Sequence, residues 1–151
     1  MLQPSRKAPL LEKAGKLLRA KLITVLLTDD HPLVRQSLRK VLNADAQMKV
    51  VGEARNGREA VKMAHGLRPD VILMDLAMPI LNGLDATRQI LAVNPVAKVI
   101  ILSAYSDKAY VTRMTELGAV GYLTKLSAAD LLIEAIREVA KGRSFFRVGT
   151  P

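Results

Sequence analysis

From residue 22 onward the chain alternates between two hydrophobic patterns. Residues 22–28, 48–54, 71–75, 98–103 and 119–124 are short runs dominated by apolar side chains, the pattern of strands covered on both faces. The stretches between them place apolar residues three and four positions apart, as helices with one buried stripe do. Pro32 suits a helix start, with Leu33, Val34, Leu38, Val41 and Leu42 as the inward stripe. Asn56 with Glu59 reads as a capping box opening a helix that buries Val61, Ala64 and Leu67 and ends at Arg68-Pro69. Residues 84–93 form the next helix, stopped by Asn94-Pro95, and residues 107–117 another, closed by Gly118. Ser127 with Asp130 is expected to cap the last helix, which buries Leu131, Leu132, Ala135, Ile136 and Val139 and ends at Gly142. Five βα units in this order predict a doubly wound α/β domain on a five-stranded parallel sheet with five helices, spanning residues 22–143.

Ahead of this unit, Leu10, Leu11, Ala14, Leu17 and Leu18 share one helical stripe opposite Lys13, Lys16 and Arg19, so residues 9–20 read as a basic amphipathic helix within an extension of residues 1–21. Packing on the domain or on a second copy, or a frayed extension, suits it better than a membrane surface. The formal charge of +9 invites a nucleic-acid reading, but about five of the nine excess charges lie in residues 1–21, outside the sheet. With no tryptophan and five Tyr and Phe residues, the chain offers little for base stacking. The absence of cysteine excludes disulfides, zinc-thiolate sites and thiol nucleophiles. No apolar run approaches the roughly 20 residues of a membrane span, and no signal-peptide core is present, so the expected location is cytoplasmic and no membrane partner is expected.

Parallel strands bring their carboxyl ends to one edge, which is where open α/β sheets bind ligands. There the chain would gather Asp29 and Asp30, Asp75, Ser103 and Lys125. Three carboxylates at close range either raise their pKa values or hold a cation, and oxygen donors favour Mg²⁺, or Mn²⁺ in its place, over Zn²⁺. A nucleophilic carboxylate, a metal-holding pair of acids, an ammonium and a hydroxyl suit phosphoryl transfer. Asp75 would accept the phosphoryl group, Asp29 or Asp30 would hold the metal, and Lys125 and Ser103 would cover the remaining oxygens.

Four segments carry a family resemblance: residues 27–35 (Leu-Thr-Asp-Asp-His-Pro-Leu-Val-Arg), residues 71–79 with Asn82-Gly83, Ile101-Leu-Ser103, and Gly121-Tyr-Leu-Thr-Lys125. Together they resemble the receiver domain of bacterial two-component response regulators. The first segment and the ending Gly142-Arg-Ser-Phe-Phe resemble the NarL/FixJ (LuxR-type) subfamily, whose receivers precede a helix-turn-helix domain. The resemblance implies a flavodoxin-like strand order of 2-1-3-4-5 and phosphorylation of Asp75 by a histidine kinase or a small phosphodonor. It implies Asp29, Asp75 and the Ala77 backbone carbonyl as metal ligands, with Asp30 acting through water. Ser103 and Tyr122 would form the switch pair, the ring turning inward on phosphorylation, and a phosphorylation-dependent homodimer would follow. DNA would be bound only through an output domain beyond residues 144–151, the expected linker or tail.

The sequence departs from the family pattern where Leu126, rather than proline, follows the lysine. Ala77 and Tyr105 hold the two positions that set phosphate lifetime in the family, one open and one bulky. His31 is expected to be a loop residue before Pro32 and His65 a solvent-facing helix residue, each without a partner at ligand spacing. An aromatic in a strand is ordinary core filler, and what favours the switch role for Tyr122 is its three-residue offset from Lys125. A Mg²⁺-dependent aspartyl phosphatase would need a second acid two residues after the nucleophile, where Ala77 stands. A receiver acting alone, as a phosphorelay carrier or protein-binding switch, is the remaining alternative, and no enzyme activity beyond self-phosphorylation and autodephosphorylation is expected.

Overall fold

A computed structural model describes residues 7–20, 22–105 and 108–147, with the side chains of residues 14–20 excepted. The chain begins with helix α1 (Lys7–Ala20), which contains the expected helix 9–20; its Leu10 and Leu11 side chains are exposed. There follow β1 (Ile23–Thr28), α2 (Pro32–Asn43), β2 (Met48–Ala54), α3 (Gly57–Leu67), β3 (Val71–Asp75), α4 (Gly83–Val93), β4 (Val99–Ser103), α5 (Lys108–Leu117), β5 (Gly121–Thr124), α6 (Lys125–Ala140) and β6 (Phe145–Phe146). The strands form one parallel sheet in the order β2-β1-β3-β4-β5-β6. The expected order is present, and Phe145 and Phe146 add a sixth strand where the sequence pattern indicated only a tail. Two residues are too few for periodicity to register. They hold through backbone bonds from Phe145 N–H to Val120 O and from Arg147 N–H to Tyr122 O.

Alternation along the strands feeds two cores. One face, carrying Val25, Leu27, Leu73, Leu102 and Leu123, packs on α2 and α6; the other, carrying Leu26, Ile72, Met74, Ile101 and Tyr122, packs on α3, α4 and α5. β3 and β4 are buried at every position. This is why their composition reads as uninterrupted apolar runs.

Three expectations are corrected at helix surfaces and ends. Leu33 is 79% exposed. The inward stripe of α2 is Val34, Leu38, Val41 and Leu42, at spacings of four, three and one, and Leu33 instead shares a face with Ser37 and Lys40. Leu67 is exposed because α3 ends there: Arg68 takes a left-handed conformation and the chain turns away. Ser127 does not cap α6; Thr124 does, its Oγ1 accepting from Ser127 N–H, so the helix begins at Lys125. The capping box at α3 is present in altered form. Asn56 accepts from Glu59 N–H, and the Glu59 carboxylate reaches back to the Arg55 N–H rather than to that of Asn56.

Candidate functional site

β1 and β3 are neighbours in register, Thr28 opposite Met74, so the residues following them meet at the carboxyl edge of the sheet. Asp29 is wholly buried and Asp75 almost so. The first turn of α6 lies against them. The ammonium of Lys125 is 3.1 Å from Asp29 Oδ2 and 3.2 Å from Asp75 Oδ1. A lysine at the first position of a helix opposes the helix dipole; here two buried carboxylates outweigh it. Ser103 ends β4 and is buried, one residue beyond Leu102, which pairs with Asp75. Its Oγ accepts from Tyr105 N–H at 3.1 Å.

Ala77 follows β3, and its N–H approaches Asp75 Oδ1 at 3.3 Å. Gly83 begins α4 directly against the backbone of Asp75: a Cβ there would overlap the Asp75 carbonyl, and its N–H is bonded to Leu76 O. Asn82 caps this helix through Asp85 N–H. In sequence, Asn82-Gly83 registers as part of the family resemblance; its role in seating α4 on the strand end depends on a long-range contact.

The electrostatics follow from this burial. Asp75 is pushed up to about 6, mainly by desolvation and then by the Asp29 charge, with Lys125 and the Ala77 N–H acting in the opposite direction. Burial alone would lower the Lys125 ammonium, but its contacts with Asp29 and Asp75 prevail and raise it. Asp29 Oδ2, Asp30 Oδ1 and Asp75 Oδ2 are buried and have no hydrogen-bond partner; Lys125 forms an ion pair with the first, and His31 Nδ1 lies 3.1 Å from the second. Such orphaned oxygens are costly unless a cation meets them. Hard carboxylate oxygens clustered in this way fit a Mg²⁺-class ion.

His31 also reaches this cluster, contrary to the expectation that it has no partner at ligand spacing. Its N–H donates to Asp29 Oδ1 at 2.8 Å, and its Nδ1 lies 3.0 Å from Asp29 Oδ1 and 3.1 Å from Asp30 Oδ1. The two-residue Asp-to-backbone turn that creates this contact is a local signal available in the sequence. His65 is an exposed residue of α3, as expected.

Tyr122 is fully buried, and its hydroxyl donates to the Tyr105 carbonyl. The ring is therefore already inside, where the family resemblance led us to expect it after phosphorylation. The Tyr105 ring is 63% exposed and stacks on Tyr110 of α5, with centroids 6.0 Å apart. Leu126, which stands where the family pattern has proline, is exposed within the first turn of α6.

Comparison with known proteins agrees with this geometry. The profile of the response regulator receiver domain family matches residues 25–137. The chain is 43% identical over 128 residues to the uncharacterized transcriptional regulatory protein YxjL of Bacillus subtilis, covering 85% of this chain and 59% of that protein. It is 41% identical to the transcriptional regulatory protein DegU of Brevibacillus brevis, covering 82% and 52%. Among solved structures, a LuxR-family two-component response regulator from Aurantimonas sp. SI85-9A1 superposes with a TM-score of 0.79 at 33% identity, covering 82% of this chain and 89% of that one. The signal receiver domain of the NarL regulator from Mycobacterium tuberculosis gives 0.77 at 32% identity, covering 82% and 99%. The chain thus spans little more than half the length of these curated relatives. No helix among the described residues is long and apolar enough to cross a membrane.

Proposed function

The chain belongs to the response regulator receiver family, and from that premise we propose that it is a phosphorylation-driven switch that takes a phosphoryl group on Asp75 from a sensor histidine kinase or a small phosphodonor. The observation that carries the reading is the bridge of Lys125 between two buried carboxylates, beside the buried Asp75 Oδ2, which accepts no hydrogen bond. Asp29, Asp30, Asp75 and the Ala77 carbonyl would hold Mg²⁺ or Mn²⁺, which when bound supplies positive charge to the incoming phosphoryl oxygens. The chain's own groups do the rest. Asp75 attacks phosphorus through a carboxylate oxygen; an acyl phosphate forms, the donor's bond to phosphorus breaks, and the donor's leaving group keeps the electron pair. Lys125 exchanges its contact with Asp75 for one with the phosphoryl group, and Ser103 supplies a hydroxyl once its bond to Tyr105 N–H is released.

Ser103 and Tyr105 link the site to Tyr122, because the same short segment accepts the Tyr122 hydroxyl and donates to Ser103. A movement of Ser103 toward phosphate would therefore be felt at Tyr122, the population shift expected of a switch. The curated relatives are transcriptional regulators longer than this chain, which favours output through a helix-turn-helix DNA-binding domain and a phosphorylation-dependent homodimer. Intact-mass measurement after acetyl phosphate and Mg²⁺ tests the assignment. One phosphate should add to the wild type and none to Asp75→Ala; an undiminished adduct on the variant refutes it.

A further inference from the structure

The phosphoryl reading leaves His31 without a role, although it lies among the site's carboxylates. We propose that His31 is an additional ligand that opens the site to borderline divalent ions, such as Co²⁺, Ni²⁺ and Zn²⁺, in competition with Mg²⁺. This inference rests on the reading of the acid cluster as a divalent-cation site.

The geometry is close to a ligand set. One donor atom each from Asp29, Asp30, His31 and Asp75 lies within 4.8 Å of all the others. At metal–ligand bonds near 2.1 Å, opposite ligands stand about 4.2 Å apart and adjacent ones about 3 Å apart. The separations of His31 Nδ1 from Asp29 Oδ1 and Asp30 Oδ1, 3.0 and 3.1 Å, are therefore those of adjacent ligands, and the widest pair needs to close by only about half an ångström. Two members of the set, Asp29 and Asp75, are buried and carry an oxygen with no hydrogen-bond partner.

The backbone that carries the ring is fixed on both sides. The His31 N–H is bonded to Asp29 Oδ1, its carbonyl accepts from Arg35 N–H, and Pro32 fixes the next residue at the start of α2. The side chain is 61% exposed; with the ring proton on Nε2, the Nδ1 lone pair is left for a metal. The chemistry then decides the ion. Imidazole adds little for Mg²⁺, which prefers oxygen and retains water, but strengthens binding of ions that favour nitrogen in the Irving–Williams order.

The test compares the wild type with His31→Ala and His31→Asn, all without affinity tags, by titration calorimetry with MgCl₂, NiCl₂ and ZnCl₂. The expected result is a loss of tenfold or more in Ni²⁺ and Zn²⁺ affinity in both variants, with Mg²⁺ affinity changed less than about threefold. The chain has only two histidines, so proton NMR adds a direct readout: substoichiometric Ni²⁺ should broaden the His31 ring signals before those of His65. Unchanged Zn²⁺ and Ni²⁺ affinity, or equal losses for all three ions, overturns the proposal. The acetyl phosphate mass assay on the same samples separates the two readings. If Asp75 is phosphorylated with Mg²⁺ while Zn²⁺ binding ignores His31, only the histidine inference fails; if neither Mg²⁺ binding nor phosphorylation occurs, both fail.

Discussion

Replacing Asp75 with asparagine should stabilise the metal-free protein at neutral pH. The carboxyl is buried and raised from 3.8 to about 6, first by desolvation and then by Asp29. A shift of about two units corresponds to roughly 3 kcal/mol by which ionisation of Asp75 opposes folding once the pH is well above 6. The shift already includes the opposing attraction of Lys125; asparagine removes the charge at nearly constant volume, but the new amide needs hydrogen bonds, so a net gain of about 1–2 kcal/mol is expected. The sign of the pH dependence follows. The folded pKa lies above the unfolded value, so between about pH 4 and 6 the native wild type binds more protons than the unfolded chain and gains stability as pH falls. The advantage of Asp75→Asn should therefore be fully present well above pH 6 and vanish or reverse toward pH 4, because the loss of roughly 3 kcal/mol in the ionisation term exceeds the net gain. Urea denaturation in EDTA at pH 7.5 and pH 4.5 measures both. An Asp75→Asn protein less stable than the wild type at pH 7.5, or a difference independent of pH, would refute the reasoning.

Further expectations concern the supports of the site. Gly83→Ala should lower stability by about 2 kcal/mol or more and slow phosphorylation of Asp75, because the added methyl overlaps the Asp75 backbone; unfolding curves and the mass assay report each. Ile80 has φ 70°, and Leu81 N–H bonds back to Pro79 O across it, a γ-turn of the rare positive-φ kind for a β-branched residue. Ile80→Gly should therefore cost nothing or stabilise by up to about 1 kcal/mol in thermal unfolding, the release of strain exceeding the added chain entropy. Lys125→Ala should retain Mg²⁺ binding by calorimetry yet lose the phosphate-dependent change in oligomeric state. Tyr122→Phe deletes the bond to the Tyr105 carbonyl and should cost about 1 kcal/mol in urea unfolding.

What the sequence reveals here depends on whether local pattern or tertiary contact sets each feature. Asp29, Asp75, Ser103 and Lys125 are legible together because a parallel sheet delivers every strand end to one edge, so alternation of strand and helix already implies convergence. The burial of β3 and β4 is legible in their unbroken apolar runs. Leu33 misleads because it lies next to the true stripe of α2, and the difference is a single helical step. The cap of α6 misleads because Ser127 and Thr124 both carry hydroxyls three residues apart; the helix starts early since Lys125 must be drawn down to two buried acids. The sixth strand has no periodicity to read. His31 and Gly83 lie between these cases: their neighbours are set by a turn and by close backbone approach, which residue type suggests but does not determine.

The placement of β6 adds a consequence for signalling. β5 has four residues, and it carries Tyr122 three positions before Lys125, the residue that binds both buried acids. On its outer side the Tyr122 carbonyl accepts from Arg147 N–H, and the Arg147 guanidinium lies over the Phe145 ring at 4.8 Å. Phe146 packs in the same core cluster as Tyr122. Residues 145–147 are thus bonded to the backbone around Tyr122, the proposed switch residue. A shift of Lys125 toward a phosphoryl group acts on β5 covalently, and a change at Tyr122 reaches Arg147 through one hydrogen bond. Coupling across so short a path requires only that this edge of the sheet have two arrangements of similar energy. If the link operates, weakening it with Phe145→Ala should leave the mass of phosphate bound to Asp75 unchanged while altering protease sensitivity after residue 147 in the unphosphorylated protein; identical digestion in both would show that the exit segment is not coupled to the switch.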